Sequence, residues 1–210
     1  NLLYMLTGKE PPASHERAME VSLILYARKE EATILKRLEN AVLTDYPSDR
    51  FKVIVGCDGD EDLTGDLVRS FAAPAVRSVE FRKRRGKTVL LNECVRVAKG
   101  EIIVFVDPDY FLESNSIRNM VRHFTNPIVG GVYGRQFLTD FLTGLDVVTA
   151  FEKFENILKR NESRAGVFPG ENSAFFAIRK ERYELLPQHA LHAGLFLGMY
   201  ASRCGFRLQY

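Results

Sequence analysis

The sequence predicts an α/β protein, a parallel sheet with helices on both faces, and two observations carry that prediction, with a third bearing on its chemistry. Short, continuous apolar runs rich in β-branched residues recur along the chain. The stretches between them place apolar residues at helical spacing. Charged clusters stand directly after the second, third and fourth runs. Continuous apolar runs of this length read as strands buried on both faces, and strands alternating with helices imply crossover connections in a parallel sheet.

The elements follow in order. "VSLILY" (21–26) is the first strand. Residues 30–43 read as a helix, with Ile34, Leu35, Leu38, Ala41 and Val42 on one stripe. "FKVIVGC" (51–57) is the second strand, and 63–71 the helix after it. "VRSVEF" (76–81) precedes a helix over 87–98 that carries Val89, Leu90, Leu91, Cys94, Val95 and Ala98. "IIVFV" (102–106) is followed by a helix over 114–124 with Ile117, Met120, Val121 and Phe124, and then by the strand "IVGGVY" (128–133). After about residue 135 the rhythm changes. Residues 145–161 read as a long helix, "SAFFAIR" (173–179) as a strand, 194–206 as a helix and "FRLQY" as a short closing strand.

The chain has 210 residues, 46% hydrophobic and 27% charged, enough for one sizeable core with or without an appended lobe. A net charge of +2 gives no global field that argues for a nucleic acid partner. Cys57, Cys94 and Cys204 are far apart, which suggests a reducing compartment and no disulfide framework. Apolar stretches are too short to span a bilayer. Residues 1–20 read as a linker or a juxtamembrane tail.

Three clusters carry chemistry. Asp107-Pro108-Asp109 closes the fourth strand, on the edge where open parallel sheets bind ligands. In extended chain, residues i and i+2 point the same way, so both carboxylates can converge on one point. Two adjacent carboxylates repel unless a proton or cation lies between them; a hard divalent ion, Mg²⁺ or Mn²⁺, fits best and commonly bridges to phosphates. The alternative is that one Asp caps the next helix and the other is solvated. "CDGDEDLTG" (57–65) puts Asp58 on the same edge, where it can accept hydrogen bonds from a base or ribose, or stand in a solvated acidic turn with Asp62 or Thr64 capping the helix. "FRKRRGKT" (81–88) sets Arg82, Lys83, Arg84, Arg85 and Lys87 ahead of a helix start, which suits an anionic ligand or a solvated basic loop. It lacks the upstream glycines of a Walker P-loop. Together the three suit a nucleoside diphosphate carrying a transferable group.

The stretches "VSLILYARKEEATILKRLENAVLTDYPSDRFKVIVGCDGDEDLTGDLVRSF" and "RRGKTVLLNECVRVAKGEIIVFVDPDYFLESNSIRNMVRHFTNPIVGGVYGR" resemble the family-2 glycosyltransferases, and the similarity continues more loosely to Tyr210. The resemblance implies a GT-A (Rossmann-like) fold, mixed and mostly parallel, with residues 21–135 as the nucleotide-sugar-binding half and 136–210 as the acceptor-side half. It also implies that Asp107 and Asp109 bind the metal of the donor. By the same resemblance Asp58 contacts uracil or ribose, Arg85, Gly86 and Lys87 lie beside the donor, and Glu31 is the second acid of the NEE-type turn. The implied activity is inverting transfer from a UDP-sugar, with Mn²⁺ or Mg²⁺, to a glycan or lipid-linked acceptor. The implied setting is a longer protein at the cytoplasmic face of a membrane.

Three departures stand out. Lys29 occupies the Asn of the NEE turn, and Cys57 the acid usually paired with Asp58. The acidic base motif upstream of the "GYR"-like Gly205-Phe206-Arg207 falls on Ala193-Gly194. Since an inverting transfer needs a base in reach of the acceptor hydroxyl, the substitutes are His192 or His189, or Glu171 in "PGENS". The other readings are a degenerate donor-binding module and a sugar nucleotidyltransferase; the latter usually has a Gly-rich loop after its first strand, and "YARKEE" has no glycine.

Overall fold

The computed structural model describes residues 18–59, 61–107, 110–135, 154, 157–159, 161–163, 174–190 and 192–210. Its first half runs β1 (Val21–Ala27), α1 (Ile34–Val42), β2 (Phe51–Asp58), α2 (Thr64–Ser70), β3 (Val76–Phe81), α3 (Lys87–Val97), β4 (Ile102–Val106), α4 (Ser116–Val121) and β5 (Val129–Tyr133). β6 (Phe175–Arg179), α5 (Ala193–Arg203) and β7 (Arg207–Gln209) follow. The strands form one seven-stranded sheet in the order β3-β2-β1-β4-β6-β5-β7. β1 pairs parallel with β2 and β4, β2 with β3, and β5 with β7, whereas β6 runs antiparallel to both β4 and β5. This is the mixed, mostly parallel sheet that the family resemblance implies; the antiparallel β6 is what the strand–helix alternation alone does not predict.

Both faces of the sheet are covered, which is why its central strands read as unbroken apolar runs. Alternate residues serve opposite layers. Leu23 and Leu25 of β1, with Val104 and Val106 of β4, pack with Ile34 and Leu38 of α1, Val68 of α2 and Ile117 of α4. Ile24 of β1 and Ile103 and Phe105 of β4 pack with Leu90, Leu91 and Cys94 of α3 and Leu197 and Ala201 of α5. The edge strand β3 is only half-buried, in keeping with its mixed composition "VRSVEF".

Three helices depart from the sequence reading for local reasons; the one expected over 194–206 ends at Arg203, just before Gly205 takes a left-handed φ of 82°. The one expected over 30–43 starts at Ile34, because Lys29 takes a left-handed φ of 59° and the N–H groups of Thr33 and Ile34 both turn back to the Glu30 carbonyl. The one expected over 114–124 tightens into a 3₁₀ turn at Arg122–Thr125, from which Asn126 reverses the chain into β5 by accepting the N–H groups of Ile128 and Val129. The helix expected over 145–161 lies largely outside the described residues; 154, 157–159 and 161–163 are helical.

The parallel register sets the ligand edge. Leu25 of β1 is level with Val106 of β4, and Ala27 with Cys57 of β2. Asp107 and Asp58 are each one residue further on, so they emerge on either side of the end of β1.

Burial decides cysteine chemistry. It pushes the Cys57 and Cys94 thiols up to about 12, whereas Cys204 is exposed. At pH 8 only ~10⁻⁴ of each buried thiol is then thiolate, the reactive form. With a chromogenic disulfide reagent at pH 8, one thiol should react promptly and two only after urea unfolding; prompt release of three equivalents from the folded protein would contradict this packing.

Candidate functional site

Asp107 is held at the end of β4 by its backbone. Its N–H donates to the Ala174 carbonyl at 2.9 Å and its own carbonyl accepts the Tyr110 N–H at 3.2 Å. The side chain is thereby aimed into a cleft shared with Tyr26, Lys87, His192 and Ala193, floored by Ile24, Leu91 and Phe105. Asp107 Oδ1 accepts a hydrogen bond from Lys87 Nζ at 2.5 Å, and the same ammonium lies 5.7 Å from the centre of the Tyr26 ring. Lys87 and Asp107 remain 40% and 31% exposed, so water screens their attraction and the pair is worth at most about 1 kcal/mol. It is weak enough to be exchanged for better partners.

Asp58 is different: it is 1% exposed. Its Oδ1 accepts the Arg85 N–H at 2.7 Å, and its Oδ2 accepts the Gly86 N–H at 3.0 Å and the Tyr26 hydroxyl at 3.1 Å. A buried carboxylate costs several kcal/mol to desolvate. Three charge-assisted bonds at roughly 1.5–3 kcal/mol each offset that. Burial, reinforced by the Asp58 charge, pushes the Tyr26 phenol up to about 12, so it remains a donor. Asp58 thus ties the basic loop down over the ends of β1 and β2. The loop's turn needs Gly86, whose φ of 100° with ψ of 150° lies where L side chains are strained.

The expected site residues separate into two groups. Lys87, Asp107 and His192 share the cleft. His192 sits at the start of α5, exposed, and the segment leading to it is latched onto α3: Asn92 donates to the Leu186 carbonyl and accepts its N–H, and Thr88 Oγ1 donates to the Gln188 carbonyl. Arg85 turns away, its guanidinium 4.5 Å from the Phe81 ring centre. Glu31 is committed to the neighbouring turn, where Oε2 accepts the Leu63 N–H and its own N–H donates to Asp62. His189 is exposed on the turn before α5. Asp109 and Glu171 lie outside the described residues. Tyr26 carries only a faint signal in the sequence, a tyrosine near the end of a largely apolar strand on the ligand edge. Asn40 carries none. From α1 it accepts the Leu112 N–H at 2.8 Å and donates to the Leu112 carbonyl at 2.9 Å, fixing the chain beyond Asp107.

Among the described residues no three His, Cys, Asp or Glu side chains converge as a protein-only metal cage. One strand-end carboxylate opening on a cleft suits instead a hard divalent ion that takes most of its oxygen ligands from outside the protein.

Residues 22–185 match the model of glycosyl transferase family 2. The chain belongs to that family. Among curated family members it is 24% identical to the poly-β-1,6-N-acetyl-D-glucosamine synthase of Staphylococcus epidermidis over 80% of this chain and 41% of that one. It is 27% identical to the probable glycosyltransferase YdaM of Bacillus subtilis over 87% and 46%. This family-2 domain therefore spans less than half the length of those relatives. Among solved structures, a mannosyltransferase from Pyrobaculum calidifontis in complex with GDP-Man and Mn²⁺ superposes with a TM-score of 0.79 at 26% identity, covering 99% of this chain and 61% of that one. Staphylococcus aureus TarS in complex with UDP-GlcNAc shares the fold, with a TM-score of 0.63 at 17% identity over 91% and 56%.

A Cβ at position 86 would meet no atom within 4 Å, so the cost of Gly86→Ala is backbone strain alone. It should lower stability by about 1–3 kcal/mol in urea unfolding; an unchanged midpoint would show that the loop does not need this conformation.

Proposed function

We propose that this domain catalyses metal-dependent, inverting transfer of a sugar from a UDP-sugar to a glycan or lipid-linked acceptor. The observation that carries the reading is the Lys87–Asp107 pair at the mouth of a cleft on the ligand edge, in a chain of this family. Residues 21–135 would hold the donor and 136–210 the acceptor. Asp107, with Asp109, would hold Mn²⁺ or Mg²⁺. The bound ion would neutralise charge building on the departing diphosphate. Lys87 would supply a further positive charge to the same oxygens. Asp58 would shape the nucleoside side through its backbone clamp on the loop; Arg85 and Glu31, engaged with Phe81 and the Leu63 N–H, would support that side without lining the cleft.

The acceptor hydroxyl must lose its proton as its oxygen attacks the anomeric carbon from the face opposite the leaving diphosphate. His192 is the imidazole lining the cleft with Asp107, so it would take that proton; Glu171 is the other candidate. No helix among the described residues is long and apolar enough to cross a membrane. The membrane setting proposed here, the cytoplasmic face, would come from other parts of a longer protein.

The GDP-Man and UDP-GlcNAc complexes of the structural relatives make the base a direct question. Titration calorimetry with Mn²⁺ present should show UDP binding more tightly than GDP, and Asp107→Asn should abolish metal-dependent UDP binding with little change in melting temperature. Unchanged affinity in that variant would remove the metal assignment. His192→Ala should lower kcat by about 10²–10⁴ and leave the donor KM in place. Wild-type kcat in that variant would move the base elsewhere.

One observation favours a second reading. The resemblance puts the family's acidic base motif at Ala193-Gly194, the start of α5, where Gly194 is buried with its carbonyl accepting the Tyr133 hydroxyl at 2.9 Å. A donor-binding module without transfer would bind UDP with Mn²⁺ and release no sugar.

A further inference from the structure

We propose that Lys87 is an exchangeable counterion which makes metal binding depend on the nucleotide. The inference rests on the reading of Asp107 as the metal-binding carboxylate. Lys87 Nζ donates to Asp107 Oδ1 at 2.5 Å, so a divalent ion held by that carboxylate would compete with the ammonium for its charge. Two like charges cannot share one carboxylate oxygen without mutual repulsion. A metal ion arriving alone therefore meets a competing cation. With a diphosphate present, Lys87 would have anionic phosphate oxygens to turn to within the cleft while Asp107 holds the ion.

The surroundings allow such a transfer and limit its range. The backbone beneath Lys87 is fixed, because Asp58 holds the N–H groups of Arg85 and Gly86. The side chain above is not: Lys87 is 40% exposed, with the Tyr26 ring 5.7 Å from its ammonium as a second cation-attracting surface. A flexible four-carbon stem on an anchored root can swing between neighbouring anions and little further. Asp107 meanwhile keeps its place through its N–H bond to the Ala174 carbonyl, so it need not move when the cation changes.

The expected signature is two shifts of opposite sign. Electron paramagnetic resonance of free Mn²⁺ measures metal binding without nucleotide, and calorimetry measures UDP binding at saturating Mn²⁺. Lys87→Met should bind Mn²⁺ alone about tenfold more tightly, since a competing charge is gone. It should bind UDP with Mn²⁺ about tenfold more weakly, since a phosphate contact is gone. Lys87→Gln, closer in shape and polarity, should shift both the same way and serves if the Met variant folds poorly. A lysine with a merely structural role would weaken both or neither, and that result overturns the inference. So does Mn²⁺-alone affinity in Lys87→Met equal to or below wild type while Asp107→Asn binds none, although the metal assignment then stands. Unchanged UDP–Mn²⁺ affinity in Asp107→Asn overturns the metal assignment and this inference with it.

Discussion

The candidate site depends on one buried anion. Asp58 sits at the end of β2 with 1% of its surface in water, and its buried oxygens are satisfied by bonds from Arg85, Gly86 and Tyr26. Those bonds join three pieces of chain far apart in sequence: the end of β1, the end of β2 and the loop entering α3. Losing any one donor strands a carboxylate out of water, so the three positions are stabilised together. The root of Lys87 is placed as a result, and with it the charge that faces Asp107.

A firm base under a loose tip recurs around the cleft. Asp107, Leu112, Leu186 and Gln188 are each held through backbone groups, by the Ala174 carbonyl, Asn40, Asn92 and Thr88. The side chains facing the cleft, Lys87, Asp107 and His192, keep substantial contact with water. Backbone-level fixation preserves the geometry that catalysis needs. Exposed tips keep the individual ion pairs weak and open to exchange.

The fold was legible where its physics is local. Strands such as "IIVFV" announce themselves because both faces are buried, and helices such as residues 87–97 because one stripe is. The site was legible in part for the same reason: strand ends in a parallel sheet face ligands, so Asp58 and Asp107 could be placed from their positions alone. What was not legible depends on contacts across the chain. Glu31 matches a family turn, yet its carboxylate meets the Leu63 N–H, a pairing that spacing does not reveal. Arg85 stacks on Phe81 only because the loop curls back over its own strand. Tyr26 and Asn40 look like ordinary members of their elements until Asp58 and Leu112 arrive beside them. Lys29 adopts a left-handed backbone, which its residue type disfavours.

The place of β6 has a consequence for biosynthesis. The strand that covers the free edge of β4 comprises residues 175–179, and β5 pairs with β4 only through it. A growing chain that has made β1 to β4 therefore carries an unpaired, wholly apolar edge until about seventy more residues have emerged, since Val106 waits for Phe175. Such an edge invites adhesion between nascent chains. Release of the polypeptide before residue 179 should leave a sticky half-sheet, so holdase protection during translation matters more for this domain than for one whose strands pair in the order they are made.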